Sequence, residues 1–152
     1  MSSDVILSII TAALSIATFQ ATVRLATPIT LAALCGIWSE RSGVVNIGIE
    51  GIMLSAACTG FLGTIYANQA LGSKSVSLFV GLVAALATGL LLALLLGVLA
   101  VRFKTDQIIA GTVINILAVG ATGYIYRAYL ATGAPTSPGA FPYLSELPGI
   151  GL

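Results

Sequence analysis

The sequence contains no histidine, and of its 152 residues only six are Lys or Arg and five Asp or Glu. Without an imidazole there is no Ser-His or Cys-His nucleophile pair, and the commonest proton shuttle and metal ligand is missing. Charged residues make up 7% of the chain, against roughly a quarter in soluble domains. So few charges cannot cover a water-facing surface. There is no basic cluster and the net charge is +1, so nothing points to nucleic acid. Aromatic residues, also 7%, are too sparse for the girdles of an outer-membrane barrel. No G-x-x-x-x-G-K-[ST] loop occurs, which removes that route to nucleotide binding. Asp4 and Asp106 lie outside the apolar runs, against a paired-aspartate intramembrane protease. Cys35 and Cys58 sit inside apolar runs and are expected to be packing residues rather than a disulfide or metal site. No enzymatic activity, metal or cofactor is expected of this chain. Its beginning lacks a basic n-region, unlike a cleaved signal peptide.

What the chain does have is apolar length. It is 58% hydrophobic with a mean hydropathy of +1.08. The expectation is an all-α, polytopic helical membrane protein of about four to five transmembrane helices. Val5–Val23 is uncharged, Arg24 interrupts, and Leu25–Trp38 is too short to span alone, since about 20 residues are needed. Two layouts fit: one long element over residues 5–38 bent at Pro28, or two crossings with Arg24 near a surface. The first is preferred, because no polar loop separates the halves. Ile52–Ala67 is a span ending at Tyr66, an interface aromatic like Trp38. Asn68–Ser75 is expected to be a polar loop. Val76–Val101 is the most hydrophobic segment. Its Gly81, Gly89 and Gly97 recur every eight residues and would form a small-residue stripe against a neighbour, unless glycine is simply common there. Arg102–Asp106, with two cations in a short loop, is expected in the cytoplasm. Alternation then puts residues 68–75 outside and Glu40–Arg41 inside. Gln107–Tyr126 is the last clear span. From residue 131 to 152 Pro and Gly dominate, and an extracytoplasmic loop is expected.

The chain is organised around Ser39–Met53, S-E-R-S-G-V-V-N-I-G-I-E-G-I-M. Gly43, Gly48 and Gly51 suggest a broken helix near Gly43–Gly51. Asn46 and Glu50 are four apart, so on a helix they share a face. A carboxylate followed by a long uncharged run is costly in lipid, and such groups usually face a bundle interior or a water cavity. Two readings of Glu50 stand side by side. In one it lines a transport pathway with Asn46, accepting from sugar or base hydroxyl and amino groups. In the other it accepts from backbone N–H groups at the glycine-broken helix start, where the dipole favours a carboxylate. A partner is expected in either case, with Arg24 and Asn115 as candidates. Asn115 and Gln107 complete the candidate pathway residues, although a mid-span Asn more often bonds helix to helix.

At Ser39–Met53 the sequence resembles the permease subunits of ABC importers in the branched-chain amino acid and simple-sugar group, nucleoside and simple-sugar branch. Arg24-Leu-Ala-Thr-Pro28 and Asp106-Gln-Ile-Ile-Ala-Gly-Thr-Val-Ile-Asn115-Ile-Leu-Ala118 fit the same branch, with Asp106 where an asparagine is usual. The Pro-rich Phe141–Gly151 resembles the family's extracellular loop before its second half. The resemblance covers essentially the whole chain. It implies a single permease domain over residues 1–152, the N-terminal half of a longer permease in a bacterial cytoplasmic membrane. It implies as partners an ABC ATPase subunit that binds the ATP, a second permease chain, and an extracytoplasmic solute-binding protein. Two other classes fit the composition: a helical scaffold or assembly protein, and an ion-coupled secondary transporter with Glu50 as a proton or sodium site.

Overall fold

A computed structural model of the chain describes Thr11 and residues 15–130. All regular structure among the described residues is helical, and four helices are long and apolar enough to cross a membrane. They fall in two units divided after Gly43.

The first unit contains α1, Ile16–Arg41. Ser15 caps it, its Oγ accepting from the Thr18 N–H at 3.2 Å, which satisfies one of the orphan donors of a helix start. Threonine hydroxyls along α1 donate back to the turn before: Thr22 to Thr18 O, Thr27 to Val23 O and Thr30 to Ala26 O, at 2.7–2.8 Å. These bonds let polar side chains sit on an apolar helix without an external partner. The helix is continuous through Pro28, so over the described residues the one-element layout is the one observed. Residues 5–10 and 12–14 of that element lie outside the described residues. Arg24 is exposed on α1.

The second unit holds α2 (Ile49–Leu71), α3 (Lys74–Val101) and α4 (Gln107–Ile125), with a π-helical turn over Tyr126–Leu130. The expected loop over 68–75 contracts to Gly72 and Ser73. Nothing in Asn68–Leu71 breaks a helix, and α2 ends only where Gly72 takes a φ of +64° and returns its N–H to Asn68 O. That left-handed position is the usual helix stop. Tyr66 is therefore inside α2, not at its end.

α2 and α3 form an antiparallel pair joined through small residues. A methyl group at Gly81 would overlap Thr64 Oγ1 and lie 2.6 Å from Gly60 O; at Gly63 it would lie 3.1 Å from Ala84 Cβ. Such close approach is how helices associate in lipid, where no hydrophobic force drives them together. Of the eight-residue glycine stripe, Gly81 is in tight contact, Gly89 only reaches Ala56 Cβ at 3.9 Å, and Gly97 meets nothing within 4 Å. The stripe thus works at the end near the Gly72 turn. Ser77, fully buried, donates to Ser73 O at 2.7 Å.

Arg102–Asp106 links α3 to α4 as expected, with Lys104 at φ +51° and Thr105 Oγ1 donating to Leu99 O at 2.6 Å. Asp106 caps α4: its Oδ1 accepts from Ile108 N at 2.8 Å and from Ile109 N at 3.3 Å. Asn and Asp cap about equally well, so the residue that departs from the family pattern keeps the local structure. Residues 131–152, expected to be an extracytoplasmic loop, lie outside the described residues.

Candidate functional site

Residues 44–48 are not helical. Of their backbone groups the Gly48 carbonyl enters the α2 ladder, and an unpaired backbone polar group shut away from water is costly. The first helical bond of α2 is Ile52 N to Gly48 O at 3.0 Å. Gly48 at the N-cap position offers no side chain to bond the first turn. For the Val45 N–H, the Ile47 carbonyl and the Gly51 N–H of α2, the partners come from α4. Gln107 Oε1 accepts from the Val45 N–H at 2.6 Å. Asn115 Oδ1 accepts from the Gly51 N–H at 2.8 Å, and Asn115 Nδ2 donates to Ile47 O at 3.0 Å.

Gln107, Gly111 and Asn115 are spaced by four and so lie along one face of α4. The residue between the two amides has no side chain, which lets the segment lie flat on the helix. A methyl group at Gly111 would sit 2.8 Å from Gly48 N and 3.2 Å from Ile47 Cβ. One at Gly51 would sit 2.7 Å from Asn115 Oδ1 and 2.8 Å from Asn115 Cα. Backbone therefore packs on backbone at two points, and the two amide side chains bond on either side of the first.

The four expected pathway residues divide in this geometry. Gln107 and Asn115 are tied to the backbone of residues 45–51. Glu50 is in the first turn of α2, exposed, and makes no hydrogen bond or ion pair with a described residue of its unit. Asn115 does not partner it: the bonds of that amide go to the Gly51 N–H and to Ile47 O. The shared helix face of Asn46 and Glu50 is corrected: α2 starts at Ile49, so Asn46 lies in the non-helical segment before it. Asn46 is half-buried, and its Oδ1 is shut from solvent with no hydrogen-bond partner among the described residues. Gly48 and Gly111 were not anticipated as a contact. The Gln-x3-Gly-x3-Asn spacing, with a second glycine-rich stretch to receive it, is the signal that would have found them.

Beyond Asn115, α2 and α4 part and leave an open cleft of 490 Å³, lined by Leu54, Ala57, Cys58, Phe61, Thr122 and Tyr126 among others. The Thr122 hydroxyl is spent on Ala118 O at 2.7 Å, so the walls are almost wholly apolar. Cys35 and Cys58 are free thiols. Among the described residues no group of three His, Cys, Asp or Glu is placed to hold a metal ion.

A bundle of lipid-length helices, one of them starting from a glycine-broken segment pinned to a neighbour, is the frame of a membrane permease. The chain belongs to the branched-chain amino acid transport system / permease component family, which matches residues 18–144; it is a multi-pass membrane protein. It is 41% identical over 132 residues to the guanosine ABC transporter permease protein NupQ of Bacillus subtilis, covering 86% of this chain and 40% of that protein. It is 34% identical over 137 residues to the putative glucose ABC transporter permease protein TsgC13 of Haloferax volcanii, covering 87% and 39%. It is 31% identical over 130 residues to the nucleoside ABC transporter permease protein NupC of Lactococcus lactis subsp. cremoris, covering 82% and 40%. The chain thus spans about 40% of the length of these curated relatives. No solved structure matches it significantly.

Proposed function

We propose that this chain forms part of the permease of an ABC importer that moves nucleosides or simple sugars across a bacterial cytoplasmic membrane. The observation that carries this reading is the 41% identity to a guanosine permease over 86% of the chain. The chain supplies a passage and no bond chemistry. ATP is bound by a separate ATPase subunit, a second permease chain completes the conduit, and an extracytoplasmic solute-binding protein delivers the substrate. The end carrying Arg102–Asp106 faces the cytoplasm, where its two cations are favoured.

Glu50 and Asn46 are the route residues of this reading. Glu50 holds an exposed carboxylate with no bond to a described residue of its unit, Asn46 holds an oxygen shut from solvent and unpaired among the described residues, and nucleosides and sugars are rich in hydroxyl and amino donors. Gln107 and Asn115 hold the segment that carries both.

The test is uptake of labelled guanosine and of labelled glucose by cells with and without the gene, each after ATP depletion and after an ionophore. Uptake that depends on the gene and falls with ATP supports the reading. Gene-dependent uptake that collapses with the ionophore and ignores ATP would instead make the chain an ion-coupled carrier. No gene-dependent uptake of either solute would leave the scaffold class.

A further inference from the structure

We propose that Gln107 and Asn115 are positioning residues, which clamp the non-helical segment 44–48 and the first turn of α2 onto α4 and thereby fix where Asn46 and Glu50 meet the solute. The proposal rests on the route reading given above and goes beyond it in assigning how that route is held.

The geometry carries the argument. Asn115 uses both ends of its amide on one short stretch of backbone, donating to Ile47 O at 3.0 Å and accepting from the Gly51 N–H at 2.8 Å. Glu50 lies between those two points, so the bracket spans its backbone. Gln107 holds the other flank by a single bond, accepting from the Val45 N–H at 2.6 Å, and Asn46 lies between Val45 and Ile47. Asn115 engages both its oxygen and its nitrogen on the segment and Gln107 its oxygen, which leaves the Gln107 NH2 as the group a direct ligand role would use. Gly48 rests on Gly111, so the clamp closes without a side chain in the way. Helix α2 has no side-chain cap of its own; α4 supplies the capping contact from outside.

A ligand role and a positioning role separate on which atom matters. Only Oε1 of Gln107 is used, so Gln107→Glu keeps the acceptor for Val45. It places its charge in the first turn of α4, where a carboxylate is tolerated. Gln107→Leu removes the acceptor at similar size. Asn115→Leu removes both halves of the bracket. The experiment is made on the assembled transporter in nanodiscs, with two readouts: hydrogen–deuterium exchange of the peptide containing residues 44–51, and ATP-driven uptake of labelled guanosine.

The expected result is that Gln107→Leu and Asn115→Leu speed exchange of that peptide about tenfold, because a protected N–H has lost its acceptor. Uptake falls about tenfold with them, as a misplaced contact group costs at least that much. Gln107→Glu changes exchange and uptake by less than about twofold, since the acceptor persists. Unchanged exchange in both leucine variants would overturn the clamp. Faster exchange with normal uptake would overturn its positioning role and remove residues 44–51 from the route. Loss of uptake in Gln107→Glu with normal exchange would make the Gln107 NH2 a direct ligand and so overturn the proposal. A wild-type transporter that moves no guanosine would fail the functional reading alone, and the exchange data would still judge the clamp.

Discussion

Replacing Gly111 by alanine tests the packing of the α2 start in a single methyl group. At an open helical position this change stabilises, by about 0.5–1 kcal/mol, because glycine loses more backbone freedom on folding. At Gly111 the new Cβ would lie 2.8 Å from Gly48 N and 3.2 Å from both the Ile47 carbonyl carbon and Ile47 Cβ. The first is backbone, so it yields only if the whole segment lifts off α4 by roughly half an ångström. Overpacking of this kind costs about 1–3 kcal/mol. The lift also stretches the 3.0 Å Asn115–Ile47 bond and the 2.6 Å Gln107–Val45 bond. Each interhelical bond contributes about 0.6 kcal/mol on average in membranes. Against the propensity gain, the net expectation is a loss of about 2 kcal/mol, roughly thirtyfold in the unfolding equilibrium. Gly97→Ala and Gly120→Ala are the controls, since a methyl group at either meets nothing within 4 Å. Reversible unfolding of the purified protein in mixed micelles, followed by circular dichroism, is the assay. Opposite signs are expected: Gly111→Ala less stable than wild type, Gly97→Ala and Gly120→Ala equal or more stable. If Gly111→Ala behaves like the two controls, the segment does not rest on α4 and the site geometry is wrong.

Three further outcomes follow from the same coordinates. Gly81→Ala should lower stability by about 1–3 kcal/mol in that unfolding assay, because its methyl group would overlap Thr64 Oγ1. Adding Thr64→Ala should recover part of the loss but not all, since Gly60 O at 2.6 Å stays in place. Asp106→Ala should cost about 1 kcal/mol through the lost cap of α4 while Asp106→Asn stays near wild type; equal losses would mean the cap is not what the carboxylate does. Glu50→Leu should leave membrane abundance near wild type, as the exposed carboxylate has no partner among the described residues of its unit and gives up only about 0.5 kcal/mol with the dipole. Guanosine uptake should fall in that variant, and normal uptake at normal abundance, measured by immunoblot and filter assay, would remove Glu50 from the route.

Composition decided much of this protein unaided. Six basic and five acidic residues among 152 cannot solvate a surface, so burial in lipid and an all-helical architecture follow from the hydrogen-bond demands of the backbone. Apolar length set the number of long helices, and Gly43, Gly48 and Gly51 marked the broken stretch before α2. Helix ends were less legible: α2 outran its expected loop because Asn68 and Gln69 are polar without being helix breakers, and only Gly72 supplied the left-handed stop. Partnership was beyond the sequence. Glu50 looked like the group in need of a partner and has none among the described residues of its unit. Gln107 and Asn115 stood among the candidate pathway residues, with helix-to-helix bonding the commoner role of a mid-span Asn, and both bond the backbone of a segment more than sixty residues away. Periodicity along one helix says which residues share a face, and nothing about which neighbour that face meets. That choice came from shape: a methyl-free strip on α4 narrow enough for another backbone to lie on, with an amide on either side to satisfy it.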